Sequence, residues 1–514
     1  MLPPTDIEGG LNKIEFKVKA GQYKSEYEFQ LAISQLLALA HDGHFGFRGD
    51  VFKGFSFCNK LAADIVSVSR DGVEIPKLYH LSPAIVRING RDAVSLISDL
   101  NMQFSGYQDA DTQWNAQFKS GKERSEDSSA FIRPGVNFTG VNSGEDYYNR
   151  FCNPNNLSKP ASLMTGMMAN QTSPSLPSAS GPPPPPKPTI EGYPFPVVRD
   201  SGANTLSGYF LNGSGYDDVA VLAVSSFNPP DTGDPIEYIN NFQNTVATFL
   251  AKSKKAGKKR LVVDVAANGG GFVNAGYDLF AQASNLRLSE GITDLARFSA
   301  SILANFKPTT PEEKDALASL GDSPILSNFV PGAAFTPYQQ AFVAVDQILA
   351  PVALNGDVFS AYFQVPLNKS SPSFNLTGVG SKANPPARVF EPENVVLFTD
   401  GTCGSTCTLF SYLMILQMGI KTTVIGGRPN TGIMQSIAGV EGAQSFTFND
   451  ITIDAKSVIA LTPKDKKEKI LNSELGELAK GYALKRAQSP ETAGSINARN
   501  AFSMADARTP LQFT

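Results

Sequence analysis

Apolar and polar positions alternate along this chain with two periods, and they divide it into a short helical start, a small β-rich region and a longer half in which strands and helices take turns. Residues Phe29, Ile33, Leu36, Leu37 and Ala40 recur by threes and fours and predict one buried face of a helix over 26–40. That helix delivers the chain to HDGHF at 41–45. Beyond it, DIVSVSRDG and AIVRINGRD are short β-branched runs closed by Asp-Gly and Asn-Gly turns, the pattern of a small β domain. In the later half, DVAVLAVSSF (218–227) reads as a buried strand. Ile236, Ile239, Phe242, Val246, Phe249 and Leu250 mark a helix, and RLVVDVAANGGG (260–271) is a second strand running into glycines. Strand, crossover helix and strand imply a parallel pair. NVVLFTDG (394–401), TCTLFSYLMILQMG (406–419) and TTVIGG (422–427) repeat the theme as strand, helix and strand, with Gly419 where a C-terminal cap is expected.

Between the halves, residues 135–195 turn rich in Asn, Ser, Gly and Pro, and SPSLPSASGPPPPPKP at 173–188 reads as a polyproline spacer. The expected division is a helical segment over 1–49, a β domain over 50–134, a linker over 135–195, an α/β domain over 196–465 and a helix and strand over 466–514. With 514 residues, more than one core is expected.

Composition narrows the class. Hydrophobic residues make up 41% and charged residues 18%, a globular balance, and the net charge is only −4. The densest basic run, KSKKAGKKR at 252–260, reads as a solvated helix end, so nucleic acid is not an expected partner. No apolar stretch of about 18 residues is present, and no membrane span is expected. The first thirty residues lack a basic start followed by an apolar run, which reads either as an intracellular protein or as a start other than the natural one. Four cysteines, Cys58, Cys152, Cys403 and Cys407, are too few for a disulfide framework, and Cys58 with Cys152 is the pair considered for a bridge.

Three segments carry chemistry. DGTCGSTC at 400–407 puts Ser405 on a glycine-containing turn between a strand and an apolar helix, where the amides of the helix start would stabilise an anion. The competing reading is that Ser405 merely caps that helix. Gly269, Gly270 and Gly271 behind Asn268 allow close backbone approach to a ligand, so amides there could hold an oxyanion; the competing reading is a plain turn. The run contains no nucleotide-binding signature. Only His41, His44 and His80 can act as a base near neutral pH, and His44 lies on a glycine-preceded turn past the first helix. His41 and His44 with Asp42 could instead pair on a metal, but no further ligand set accompanies them, so no metal and no cofactor is expected.

AHDGHF resembles the histidine segment of tricorn-like and chlamydial-protease-like peptidases. DVAVLAVSSF with RLVVDVAANGGG resembles their paired strands ending in an oxyanion segment, TDGTCGSTCTLF resembles the nucleophile elbow of tail-specific, or carboxyl-terminal processing, serine peptidases, and IVRINGRDA resembles their PDZ-related module. The likeness spans most of residues 26–440 and is nearest to fungal members, which also carry a Pro-rich spacer. It implies an α/β fold: a ClpP/crotonase-like parallel-sheet catalytic domain with an N-terminal helical segment and a small PDZ-like β domain. It also implies a serine endopeptidase acting on polypeptides through an acyl-enzyme, with Ser405 as nucleophile, His44 as base and the amides of Gly270, Gly271 and Thr406 as oxyanion donors.

Members with a serine–lysine dyad place a lysine about twenty-five residues past the nucleophile, in the family's pattern; here IGGRPNTGIMQ puts Asn430 near that place, so the histidine branch, with a glutamate orienting the imidazole, is the one implied. Glu441 and Glu468 are the nearest candidate acids, and fungal members carry a further tyrosine and glutamate beyond a TPLQF segment, a continuation that this sequence lacks. By resemblance the protein is expected in the secretory route, with the cytoplasm as the alternative, and precursor-peptide trimming is an implied substrate class beside general extracellular proteolysis. A catalytically silent peptide-binding relative and a crotonase-like acyl-CoA enzyme are the competing functions.

Overall fold

The computed structural model describes residues 5–58, 66–68, 77–79, 87–88, 91–92, 95, 99, 129–132, 136–153, 193–201, 205–229, 234–284, 292–293, 310–311, 335–336, 340–350, 352–354, 357–363, 375–425, 435–440, 442–480 and 494–500. His80, Asn430, Glu441, the polyproline run and most of the small β domain lie outside them.

Helices α1 (Ile7–Lys19) and α2 (Glu26–Ala38) open the chain, each started by a side chain that accepts an orphan amide: Asp6 from Gly9, and Ser25 from Glu28. Strand β1 (Gly46–Phe47) follows the HDGHF turn. Of the β-rich region, β2 (Phe55–Cys58) pairs antiparallel with β3 (Ser129–Ile132).

Strands β4 (Val198–Arg199), β5 (Leu206–Phe210), β6 (Val219–Val224) and β7 (Arg260–Asp264) then build a sheet that is completed by β8 (Val395–Thr399) and β9 (Lys421–Val424). The order is β9-β8-β7-β6-β5-β4. The four strands from β6 to β9 run parallel, and β5 and β4 add an antiparallel edge. Between β6 and β7 the chain crosses through α3 (Pro235–Lys255), whose Ile239, Phe242, Val246 and Phe249 are fully buried or nearly so. Ile236 departs from the expected stripe: it lies in the first turn and is 40% exposed. Helices α4 (Val273–Ser284) and α5 (Thr406–Leu416) follow β7 and β8, and Phe227, Phe280, Phe410 and Leu397 join α3 and the sheet in one core. Gly419 ends the α5 region at φ +68, a conformation that costs glycine nothing.

A second, three-stranded antiparallel sheet bears directly on function. Strand β10 (Gly442–Thr447) leads into α6 (Phe448–Leu461) through a Thr447–Asp450 capping box, and β11 (Gly494–Asn500) lies between β1 and β10. It therefore ties the first fifty residues to the last described strand.

Cys152 is a buried thiol rather than half of a bridge, which corrects the pairing considered with Cys58; the disulfide links Cys403 to Cys407 instead. Among the described residues no helix is long and apolar enough to cross a membrane.

Candidate active site

Ser405 sits where β8 gives way to α5, with φ 56 and ψ −120. A left-handed conformation at a residue with a side chain costs about 1–3 kcal/mol, and a sharp strand-to-helix turn of this kind lifts the hydroxyl clear of the sheet. The capping reading fails, because the Ser405 side chain makes no capping hydrogen bond to the helix. The serine is half-buried and its hydroxyl is left for another task.

The glycine run packs against this turn. A Cβ on Gly270, which has φ +101, would lie 2.7 Å from Ser405 Cβ, 2.6 Å from the Gly404 carbonyl oxygen and 3.0 Å from the Thr406 nitrogen. Only glycine fits that approach. Asn268 is fully buried and braces the loop: its Nδ2 donates to the Val224 carbonyl at 2.8 Å, and its Oδ1 accepts from the Gly270 amide at 2.8 Å. The Gly270 N–H is therefore engaged within its own loop. The Thr406 hydroxyl donates to the Gly271 carbonyl at 2.6 Å and binds the loop to the helix start.

Two carboxylates at neighbouring strand ends hold both turns in place. Asp400 accepts from the amides of Ala267 and Thr402, and Asp264 accepts from Ala266. Burial, and then the nearby Asp400 charge, push the Asp264 carboxyl above its ordinary range.

The histidine reaches the same neighbourhood through one short backbone segment. Residues 437–440 bridge in parallel to the nucleophile turn, Ile437 with Gly401 and Val440 with Gly404, and the Gly439 amide donates to the Cys403 carbonyl at 3.1 Å. On the other side Gly43 presses on this segment so closely that a Cβ there would lie 2.7 Å from the Gly439 carbonyl oxygen. The segment thus touches both the histidine turn and the nucleophile turn, which are more than 350 residues apart in sequence.

The group that faces the His44 ring from the neighbouring strand is an amide. In the antiparallel register of β1 with β11, Gly46 faces Ser495 and Phe47 faces Gly494, and two further steps put His44 opposite Asn497. His44 Nδ1 lies 3.4 Å from Asn497 Oδ1, and Asn497 Nδ2 donates to Asp42 Oδ2 at 3.0 Å. The protonation pattern follows from the end of this chain. The Asp42 carboxylate only accepts, so Asn497 presents its NH2 there and its oxygen to the imidazole. Nδ1 must then carry the proton, and Nε2 keeps the lone pair that a base needs. Asp42 also fixes the turn, accepting from the His44 amide through Oδ1 at 2.8 Å.

Gly442 leaves room for this pair, since a Cβ on it would meet Asn497 Oδ1 at 2.4 Å and His44 Nδ1 at 2.6 Å. Burial lowers the His44 pKa from 6.5, against smaller raising effects of the Asp42 charge and the Asn497 hydrogen bond, so the ring is neutral at neutral pH.

Of the acids read from the sequence, Glu468 is exposed in the helix Lys464–Leu471, and Glu441 falls outside the described residues. Asn497 escaped the sequence reading altogether, because it is an uncharged residue 453 positions from its partner and belongs to no motif.

Comparison with known proteins bears on the class of protein to which this chain is similar. Residues 56–162 match the family model described as a CPAF-like PDZ domain. Peptidase S41 family protein phomP1' of Diaporthe leptostromiformis is 28% identical over 518 residues, covering 90% of this chain and 74% of the relative. The chain is a relative of the S41 peptidases. Peptidase S41 family protein ustP of Aspergillus flavus is similar too, at 27% over 406 residues, covering 75% of this chain and 78% of the relative. This kinship makes the chain a serine-type peptidase, the class that its strand-turn-helix serine fits. Mature CPAF, a solved structure, aligns at 13% identity and a TM-score of 0.35 over 85% of this chain and 79% of that one, too low a score to support any argument.

Proposed function

We propose that the protein cleaves peptide bonds through an acyl-enzyme on Ser405, with His44 as base and Asn497, backed by Asp42, as the group that orients it. The observation that carries this reading is the hydrogen-bonded line from Asp42 through Asn497 to His44, on a turn that packs against residues 437–440, the same segment that bridges to the turn holding Ser405 at positive φ. Ser405 Oγ attacks the peptide carbonyl and gives its proton to His44 Nε2. The imidazolium then protonates the leaving amine, and a water, deprotonated by the same ring, releases the acyl group. Because the Gly270 amide is engaged by Asn268, the developing oxyanion falls to the amides of Gly271 and of Thr406, the first residue of α5. An amide in place of a carboxylate fixes the tautomer and the ring's orientation without adding a charge beside it.

Trimming of precursor peptides is the substrate class that the likeness to fungal members implies, and both named relatives come from fungi. The four parallel strands, with the glycine loop and the serine turn at adjoining strand ends, support a ClpP/crotonase-like catalytic domain. No observation favours the acyl-CoA reading or the silent binding one.

A fluorophosphonate probe tests the proposal: the native protein is expected to be labelled on Ser405, and Ser405→Ala to lose the label while remaining folded. Absence of labelling in folded native protein would defeat the hydrolase reading.

The orientation claim is tested by pH. His44 acts in its neutral form, so the labelling rate holds at high pH and falls as pH drops through a pKa that lies below 6.5. Asp42 raises that pKa, so Asp42→Asn is expected to move the acid limb to lower pH. Asn497→Asp, which puts a carboxylate beside Nδ1, should move it to higher pH. An acid limb that is the same in all three proteins would remove Asp42 and Asn497 from the mechanism.

A further inference from the structure

The disulfide Cys403–Cys407 encloses Gly404, Ser405 and Thr406, so the nucleophile sits inside the cross-link. Both cysteines are fully buried. Cys407 lies in the first turn of α5, and the Cys403 carbonyl accepts the Gly439 amide from the segment that contacts the histidine turn. The bridge therefore joins the helix start to the elbow at the one residue held at φ 56. A loop of this length constrains the unfolded chain little, because loop-closure entropy grows with the number of residues enclosed. What it does constrain is local: the dihedral angles of the three residues between the sulfurs.

We propose that the Cys403–Cys407 disulfide is a positioning clamp for Ser405, so that the peptidase is competent only with this bridge closed. The proposal rests on Ser405 being the nucleophile. With the bridge open, the serine backbone is free to relax toward negative φ, and its hydroxyl shifts relative to the histidine turn and to the Gly271 amide. Opening takes two electrons from a dithiol: its two thiol hydrogens end on Cys403 and Cys407 as the reagent closes its own cyclic disulfide. A requirement of this kind places the working form in an oxidising compartment.

The test uses the full chain. Native protein is incubated with dithiothreitol, the open pair is confirmed by alkylation and peptide mapping of Cys403 and Cys407, and the fluorophosphonate labelling rate is followed with kcat and KM on a peptide substrate. Opening is expected to lower the labelling rate and kcat about tenfold or more, as a nucleophile displaced by a fraction of an ångström would, with KM little changed. Re-closure with oxidised glutathione should restore both. The double variant Cys403→Ala, Cys407→Ala is expected to behave like the reduced protein, with a cooperative thermal transition retained. Should that variant not fold, or the buried bridge resist the dithiol, the remaining arm decides.

Protein alkylated on both cysteines that still labels at the oxidised rate overturns the clamp, as does native protein in which both thiols react before reduction. If the oxidised protein never labels, the nucleophile reading fails and the clamp fails with it.

Discussion

Replacing His44 with alanine is expected to lower kcat by about 10²–10⁴, with KM nearly unchanged, because a positioned base acts on the transition state and not on bound substrate. The same loss should appear in the rate of fluorophosphonate labelling of Ser405. Assignment to catalysis and not to folding is checked by the thermal transition, which is expected to stay cooperative although a partly buried ring and its 3.4 Å hydrogen bond to Asn497 are lost. A variant that keeps its native labelling rate would show that some other group takes the serine proton.

Gly270→Ala is expected to have the next largest effect, through geometry alone. The new methyl group would enter a space bounded by the Gly404 carbonyl oxygen at 2.6 Å, Ser405 Cβ at 2.7 Å and the Thr406 nitrogen at 3.0 Å, and two of these are backbone atoms that cannot swing aside. At φ +101 the backbone itself also resists a side chain. The labelling rate should fall about a hundredfold, as expected for a nucleophile displaced by roughly 1 Å, with a stability loss of about 1–3 kcal/mol. Gly257→Ala is the matched control. Gly257 also has positive φ, at +68, but nothing lies within 4 Å of a Cβ placed there. It is expected to lose about 1 kcal/mol and to label at the native rate. Equal labelling by both variants would mean that the glycine loop does not touch the reacting serine.

The reach of the sequence followed the range of the interactions. The serine elbow is a local object: an apolar strand, a glycine-bearing turn and an apolar helix are contiguous, so the place of Ser405 on a strand-to-helix turn was legible from its neighbours. The parallel strands 219–224, 260–264 and 395–399 were legible for the same reason, each being a short β-branched run bounded by turns. Ile236 failed the pattern because it lies in the first turn of its helix, ahead of the face that meets the sheet.

Asn497 was beyond reach, since its role depends on the register of a strand pair closed between the two ends of the chain, and the search for a partner to His44 was a search for charge. The structure supplies an amide whose polarity is set by Asp42, two residues from the histidine and passed over except as a metal ligand. The cysteines misled in a similar way. Cys403 and Cys407 stand at ordinary helical spacing, and only the bend at Ser405 turns that spacing into a bridge.

The central claim is that the fold brings the His44 imidazole, with its Nε2 unprotonated, to the hydroxyl of Ser405. A crystal structure of the fluorophosphonate adduct measures this directly. The account predicts His44 Nε2 within about 2.6–3.2 Å of an oxygen on the modified Ser405, with Nδ1 still facing Asn497. A ring that points away from Ser405, with a lysine or a carboxylate at the oxygen in its place, would contradict it.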